Sequence, residues 1–217
     1  MPEDDGIDVL PPLRTVLAVV LAAAVAVVAA SARADTQPPN KFNAHGITFS
    51  YPADWLEFPV NYQVQIGKPL WIDSIGPPPQ APQPPANGSP PPPTSQPPSP
   101  SPNLVTIAAF QVSVAITKKN IGRYKKYFAV TVNQLAASLH GQVQSGPKRV
   151  NLTSLPGYAF QITAQLADGT ILENHLVFAF KQKTEYFINC QHPQNDPLAP
   201  EINSGCDQIM RSFRPTK

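Results

Sequence analysis

Cys190 and Cys206 are the only thiols in the 217-residue chain. Two are too few for a four-ligand thiolate zinc site or an iron–sulfur cluster, and no C-x-x-C spacing offers redox catalysis. A single disulfide is the chemistry left to them, with two buried free thiols as the alternative. Four histidines, His45, His140, His175 and His192, are spread over the sequence without an H-E-x-x-H pattern. His192, Asn195, Asp196 and Glu201 lie near enough in sequence to share a metal, but a surface loop accounts for them better. No G-x-S-x-G elbow supplies a hydrolase nucleophile, and Gly46, Gly67 and Gly157 stand alone rather than in a phosphate-cradling loop. These residues therefore point to no catalytic site, no metal and no cofactor. Two clusters suit binding. Lys118, Lys119, Arg123, Lys125 and Lys126 crowd the start of a helical pattern, where cations oppose the helix macrodipole; they suit an anionic membrane surface or wall polymer, or form a solvated face. Trp55, Tyr62 and Trp71 either line a ligand cleft or belong to the core.

Composition narrows the setting. Charged residues make up 14% of the chain, well under the usual ~25%, which argues against a charge-solvated disordered protein. A formal net charge of +2 is too small for the strongly basic footprint of nucleic-acid binding. Residues 16–30 are an unbroken run of Val, Leu and Ala, followed by Ala32-x-Ala34 and then by Asp35-Thr36-Gln37-Pro38-Pro39. The run is shorter than the ~20 residues that span a bilayer and has the layout of a secretory signal cut after Ala34; an uncleaved membrane anchor is the alternative. Glu3, Asp4, Asp5 and Asp8 make an unusually acidic start for such a signal, so translation is expected to begin nearer Val9 or Leu10. Export would place both cysteines in an oxidising compartment and favour the disulfide.

Residues 35–40 read as a polar lead-in, and residues 41–217 as one domain. Ile47-Thr48-Phe49-Ser50-Tyr51 and residues 62–66 alternate as half-buried strands, and residues 71–75 are a weaker strand. Residues 77–102 hold half of the 28 prolines. Their lack of apolar side chains and amide donors predicts an extended, disordered loop inserted into one sheet, either a spacer or a docking ligand. Residues 104–114 form a further strand. Ile121, Tyr124, Phe128, Val132, Leu135 and Leu139 recur at helical spacing, with Gly141 as the expected left-handed C-terminal residue. Strands over 158–166, 171–180 and 184–190 follow, joined by turns at Asp168-Gly169 and Lys181-Gln182-Lys183. Pro200 opens a last helix whose Ile202, Cys206, Ile209 and Phe213 share a face. The fold class is α+β: an antiparallel sheet flanked by helices.

The pattern Ile47-x-Phe49-x-Tyr51-Pro52-x-x-Trp55, the long helix, the strand meander and the closing Ile209-Met210-x-Ser212-Phe213 resemble PsbP/Mog1-like domains. With the export signal and the proline tract, the chain resembles the mycobacterial LpqN/LpqT family of envelope proteins, which includes a secreted proline-rich antigen. It departs from the lipoprotein members in having no lipobox cysteine, and the tract interrupts its domain. The resemblance implies a non-catalytic α/β sandwich, secreted or envelope-associated, and supplies no catalytic residues. The function expected is binding or accessory, toward an envelope lipid or an envelope protein. A secreted hydrolase with an unrecognised site, or a purely structural wall component, would be the alternatives.

Overall fold

The computed structural model describes residues 37–58, 68–79 and 102–216. The expected signal at 1–34, the strand at 62–66 with Tyr62, and residues 80–101 of the proline tract lie outside these residues.

β1 (Asn40–Ala44) and β2 (Ile47–Tyr51) are joined by His45 and Gly46, at φ +53° and +71°. Two successive positive φ values give the two-residue turn whose twist suits a hairpin. β1 thus starts at the last residue of the expected lead-in. β3 (Leu56–Phe58), β4 (Trp71–Gly76) and β5 (Leu104–Ile116) come next. A 3-10 turn, Ile121–Tyr124, leads into α1 (Lys125–Ser138). β6 (Val143–Leu152), β7 (Leu155–Gln165), β8 (Ile171–Pro193), α2 (Ala199–Ser212) and β9 (Arg214–Pro215) follow. The main sheet has the order β3-β4-β5-β8-β7-β6, the small one β1-β2-β9, and every pairing is antiparallel.

β8 doubles back at the expected turn, where Gln182 has φ +57°. Its first arm pairs with β7 and its second with β5. Asn189 Nδ2 donates to Asn174 Oδ1 between the arms (3.2 Å). β4 and β5 are direct neighbours, with Ile75 opposite Val105, so the two ends of the stretch 77–102 leave and re-enter the sheet side by side.

Alternation divides the core between the two faces of the main sheet. On β7, Tyr158, Phe160 and Ile162 face Phe128, Val132 and Leu135 of α1, joined by Leu176, Phe178 and Phe180 of β8. On the other face, Ala159 and Val177 join Ile107, Ile188 and the α2 residues Ile202, Cys206 and Ile209, with Phe42, Ile47 and Phe49 of the small sheet. Each such large side chain withdrawn from water contributes about 1.5–3 kcal/mol.

The end of α1 corrects one expectation. His140, at φ +53°, takes the left-handed position. His140 N donates to Ala137 O (3.1 Å) and Gly141 N to Ala136 O (2.8 Å), the paired bonds of a Schellman closure. Gly141 is needed for another reason: a Cβ there would run into the Thr163 carbonyl. α2 carries Pro in its first turn, as expected, and Asp196 Oδ1 accepts from Leu198 N just ahead of it (2.7 Å). Cys190 and Cys206 form a disulfide, with Cα atoms 6.0 Å apart, tying α2 to β8.

Candidate functional site

α2 covers only part of its face of the main sheet. Ile202, Cys206 and Ile209 are driven into the core, while Asn203, Asp207, Met210 and Arg211, at spacings of three and four, share a neighbouring face of the helix. That face forms one wall of two cavities. The floor comes from the β7–β8 register, in which Ala159 opposes Val177, Gln161 opposes His175 and Thr163 opposes Glu173. These residues point to the same side of the sheet because strand side chains alternate with period two. The floor therefore passes from apolar to polar along its length.

At the polar end is a chamber of about 310 Å³ lined by Gln144, Gln161, Thr163, Glu173, His175, His192, Gln194 and Asn203, among others. At the apolar end is a groove of about 580 Å³, lined by Val150, Leu152, Ala159, Val177 and Met210 with Asp207, Arg211 and Arg214 at its rim. His175 lines both. Both volumes fall within the range of small-molecule sites.

The two histidines are held differently. His192 is 6% exposed. Its Nδ1 lies 2.9 Å from Pro193 O, and since a carbonyl only accepts, Nδ1 carries the hydrogen. Nε2 lies 3.4 Å from Asn203 Nδ2 and 4.0 Å from Glu173 Oε2. His175 titrates below the ordinary histidine range. Burial is the main cause; Asp207 pulls it back upward and Lys148 pushes it further down. It is a neutral hydrogen-bonding ring at neutral pH. Thr163 Oγ1 accepts from Gln142 N at 3.0 Å and lies 3.4 Å from Gln142 O. The lining offers amides, neutral imidazole and one carboxylate, a set that satisfies hydroxyl groups.

Of the aromatic trio, Trp55 and Trp71 lie among the described residues and Tyr62 does not. Trp55 is 1% exposed; its ring packs directly on Gly205 of α2, where a Cβ would collide with it. Trp55 Nε1 donates to Glu201 Oε1 (3.0 Å). Trp55 is core rather than cleft wall, because α2 needs a flat apolar surface beneath its one glycine. Trp71 is partly buried and stacks on His45 at 5.0 Å, whose Nε2 lies 3.3 Å from Asp73 Oδ2. Two of the four residues considered for a metal are engaged elsewhere: Glu201 with Trp55, Asp196 with Leu198 and Asn103. Among the described residues, no group of three His, Cys, Asp or Glu is placed to hold a metal.

The basic residues are brought together, away from the cavities. Lys118 and Lys119 follow β5, Arg123 is on the 3-10 turn, and Lys125 and Lys126 open α1; all five are exposed. Asn120 Oδ1 fixes their loop by accepting from Thr117 N (2.7 Å) and Thr117 Oγ1 (3.1 Å).

The cavity residues were passed over in the sequence because the odd positions of β7 read simply as the wet side of an amphipathic strand. The available signal was Ala159 ahead of Gln161 and Thr163: a small apolar residue followed on the same face by uncharged polar ones.

No family model matches the chain, and comparison with curated protein sequences finds no match. The solved structures similar to it include the following three. A protein of Bacteroides thetaiotaomicron VPI-5482 is 12% identical, with 82% of this chain and 49% of that one covered and a TM-score of 0.47; this chain spans about half its length. The cyanobacterial PsbP of Synechocystis sp. PCC 6803 is 9% identical, with 87% and 98% covered and a TM-score of 0.50. LpqN of Mycobacterium tuberculosis, involved in cell envelope biogenesis, is 12% identical, with 84% and 87% covered and a TM-score of 0.42. The likeness to PsbP is one of fold: the chain has a PsbP-like α+β architecture.

Proposed function

We propose that the protein is an exported, non-enzymatic accessory protein of the cell envelope or its surroundings that binds an amphipathic lipid. The hydroxyl-rich head occupies the polar chamber and the alkyl chain lies along the groove beside α2. The observation that carries this reading is the graded floor, Ala159–Val177, then Gln161–His175, then Thr163–Glu173, with an apolar and a polar cavity meeting at His175. A ligand of one polarity would fit half of it. Support for export comes from the apolar run at 16–30 with Ala32-x-Ala34 and from the disulfide, which suits an oxidising compartment. The resemblance of the sequence to LpqN/LpqT proteins points the same way. Binding is favoured over catalysis because the lining thiol, Cys190, is locked in the disulfide and the Thr163 hydroxyl is engaged by Gln142 rather than by a histidine.

Native mass spectrometry with dodecyl glucoside as the probe tests this. One molecule is expected to bind, and Val150→Trp, which fills the groove from an edge strand, should weaken binding at least about tenfold. Gln161→Ala should weaken dodecyl glucoside but leave the fold intact by circular dichroism. Binding that ignores both substitutions would dismiss the groove. Turnover of an ester-linked analogue would replace the binding role with hydrolysis.

A further inference from the structure

Among the described residues, the end of the molecule that carries the start of α1 exposes charge of one sign. Between Asp73 and Asp168 the sequence contains no acidic residue. Lys118, Lys119, Arg123, Lys125 and Lys126 lie in that stretch, all exposed, and the ion pairs among the described residues involve none of them. Two further cations adjoin them. Arg149 of β6 donates from Nη2 to Lys118 O (3.1 Å). Lys183 sits on the bend of β8, whose Gln182 pairs with Ile116, two residues before Lys118. The nearby carboxyl on that arm, Glu185, is 1% exposed and shares its surroundings with Tyr124 and Phe128, so it is withdrawn from the surface the cations present. Past Lys126 the outer side of α1 carries no charge at all: Val130, Asn133, Gln134 and Ala137 are exposed there, Val130 to 48%.

Packing does not require this arrangement. The 3-10 turn and α1 have no acidic residue in their first turns, so the cations work against the helix macrodipole. Like charges gather at one end, and among the described residues no ion pair compensates them. We propose that this end docks on an anionic lipid bilayer, with the lysines and arginines over the phosphate headgroups and the uncharged flank of α1 around Val130 against the interface. A soluble polyanion would engage the cations alone; the exposed valine and alanine beside them favour a surface that has an apolar interior behind its charge. The proposal does not depend on the groove.

Co-sedimentation of the full chain with vesicles decides it. One set holds phosphatidylglycerol and phosphatidylcholine in equal parts, the other phosphatidylcholine alone. The apolar run at 16–30 does not discriminate by headgroup charge, so the difference between the sets reports the cations. Binding is expected to the anionic set and to fall as salt shortens the Debye length from about 10 Å at 0.1 M to about 3 Å at 1 M. Changing Lys118, Lys119, Lys125 and Lys126 together to Gln should weaken partitioning roughly tenfold or more. Changing the exposed Lys41 and Lys68 to Gln should leave it unchanged. Val130→Gln should weaken it severalfold at unaltered charge. Equal partitioning of wild type and the quadruple variant overturns the proposal, as does an equal loss from Lys41 and Lys68. Capture by soluble polyphosphate as tight as by vesicles, with no effect of Val130→Gln, would assign the surface to an anionic polymer and overturn it too.

Discussion

Glu185 is 1% exposed on the second arm of β8, and its Oε1 has no hydrogen-bond partner. Val112, Val114, Ile116, Tyr124 and Phe128 are among the residues around it. Removal from water raises its carboxyl from the usual 4.5 to about 7. A folded-state value above the unfolded one means that ionisation opposes folding. The penalty is absent below about pH 4.5 and grows as the pH rises through about 7. It reaches on the order of 3 kcal/mol by pH 8, since each pH unit that separates the folded and unfolded values is worth about 1.4 kcal/mol. Glu185→Gln should therefore be more stable than the parent at pH 8, by about 2 kcal/mol, and nearly equal to it at pH 4. Urea midpoints at the two pH values check this. A variant no more stable at pH 8 would mean that the carboxylate is satisfied there. Tyr51 shows the same desolvation at another place: burial, together with the Glu57 carboxylate that accepts its hydroxyl (2.7 Å), pushes the phenol up to about 12.

α2 is held to the sheets by three kinds of bond. Its apolar face packs against β2, β5 and β8, its disulfide fastens Cys206 to Cys190, and Ser212 Oγ accepts from Ser50 N of β2 (2.8 Å). A link across 16 residues contributes roughly 3 kcal/mol in the chain-entropy account. Cys206→Ser should lower the melting temperature by about 10 °C with the far-ultraviolet spectrum unchanged. Calorimetry with and without reductant would show it; a wild type indifferent to reductant would remove the bond from the account. Elements with strong periodicity were legible in the sequence: α1, α2, β5, β7 and both arms of β8. β6 was not, because Val143-Gln-Ser-Gly-Pro-Lys-Arg is mostly exposed and its register with β7 shifts twice, as an edge strand can. β9 was hidden by its length of two residues. The cavity escaped because a binding surface is a packing omission: nothing in the alternation of β7 says that α2 stops short of covering it. The disulfide was legible, since few partners were available to two cysteines.

At the scale of the whole molecule, Phe213 joins the parts. It is fully buried, stacks on Phe49 of the small sheet at 6.2 Å and meets Tyr186 of the main sheet edge-on at 5.3 Å. Its carbonyl accepts from Thr153 Oγ1 in the β6–β7 turn (2.8 Å). Phe213→Ala would open a void where both sheets and α2 converge, which places it at the costly end of large-to-small changes, about 3–5 kcal/mol. Equilibrium unfolding in urea should show that loss in one transition. Two separate transitions would mean that the sheets are held independently.

The position of α2 and β9 along the chain also governs the order in which the molecule can assemble. A ribosome delivers residues 199–215 after every partner they cover. β5, β7 and β8 can pair while the chain is still being made, but one face of their sheet stays bare until then. β2 waits for β9, and Trp55 waits for Gly205. Throughout synthesis the nascent chain shows an apolar surface to whatever escorts it, and the two sheets lock together only when residues 199–215 have emerged.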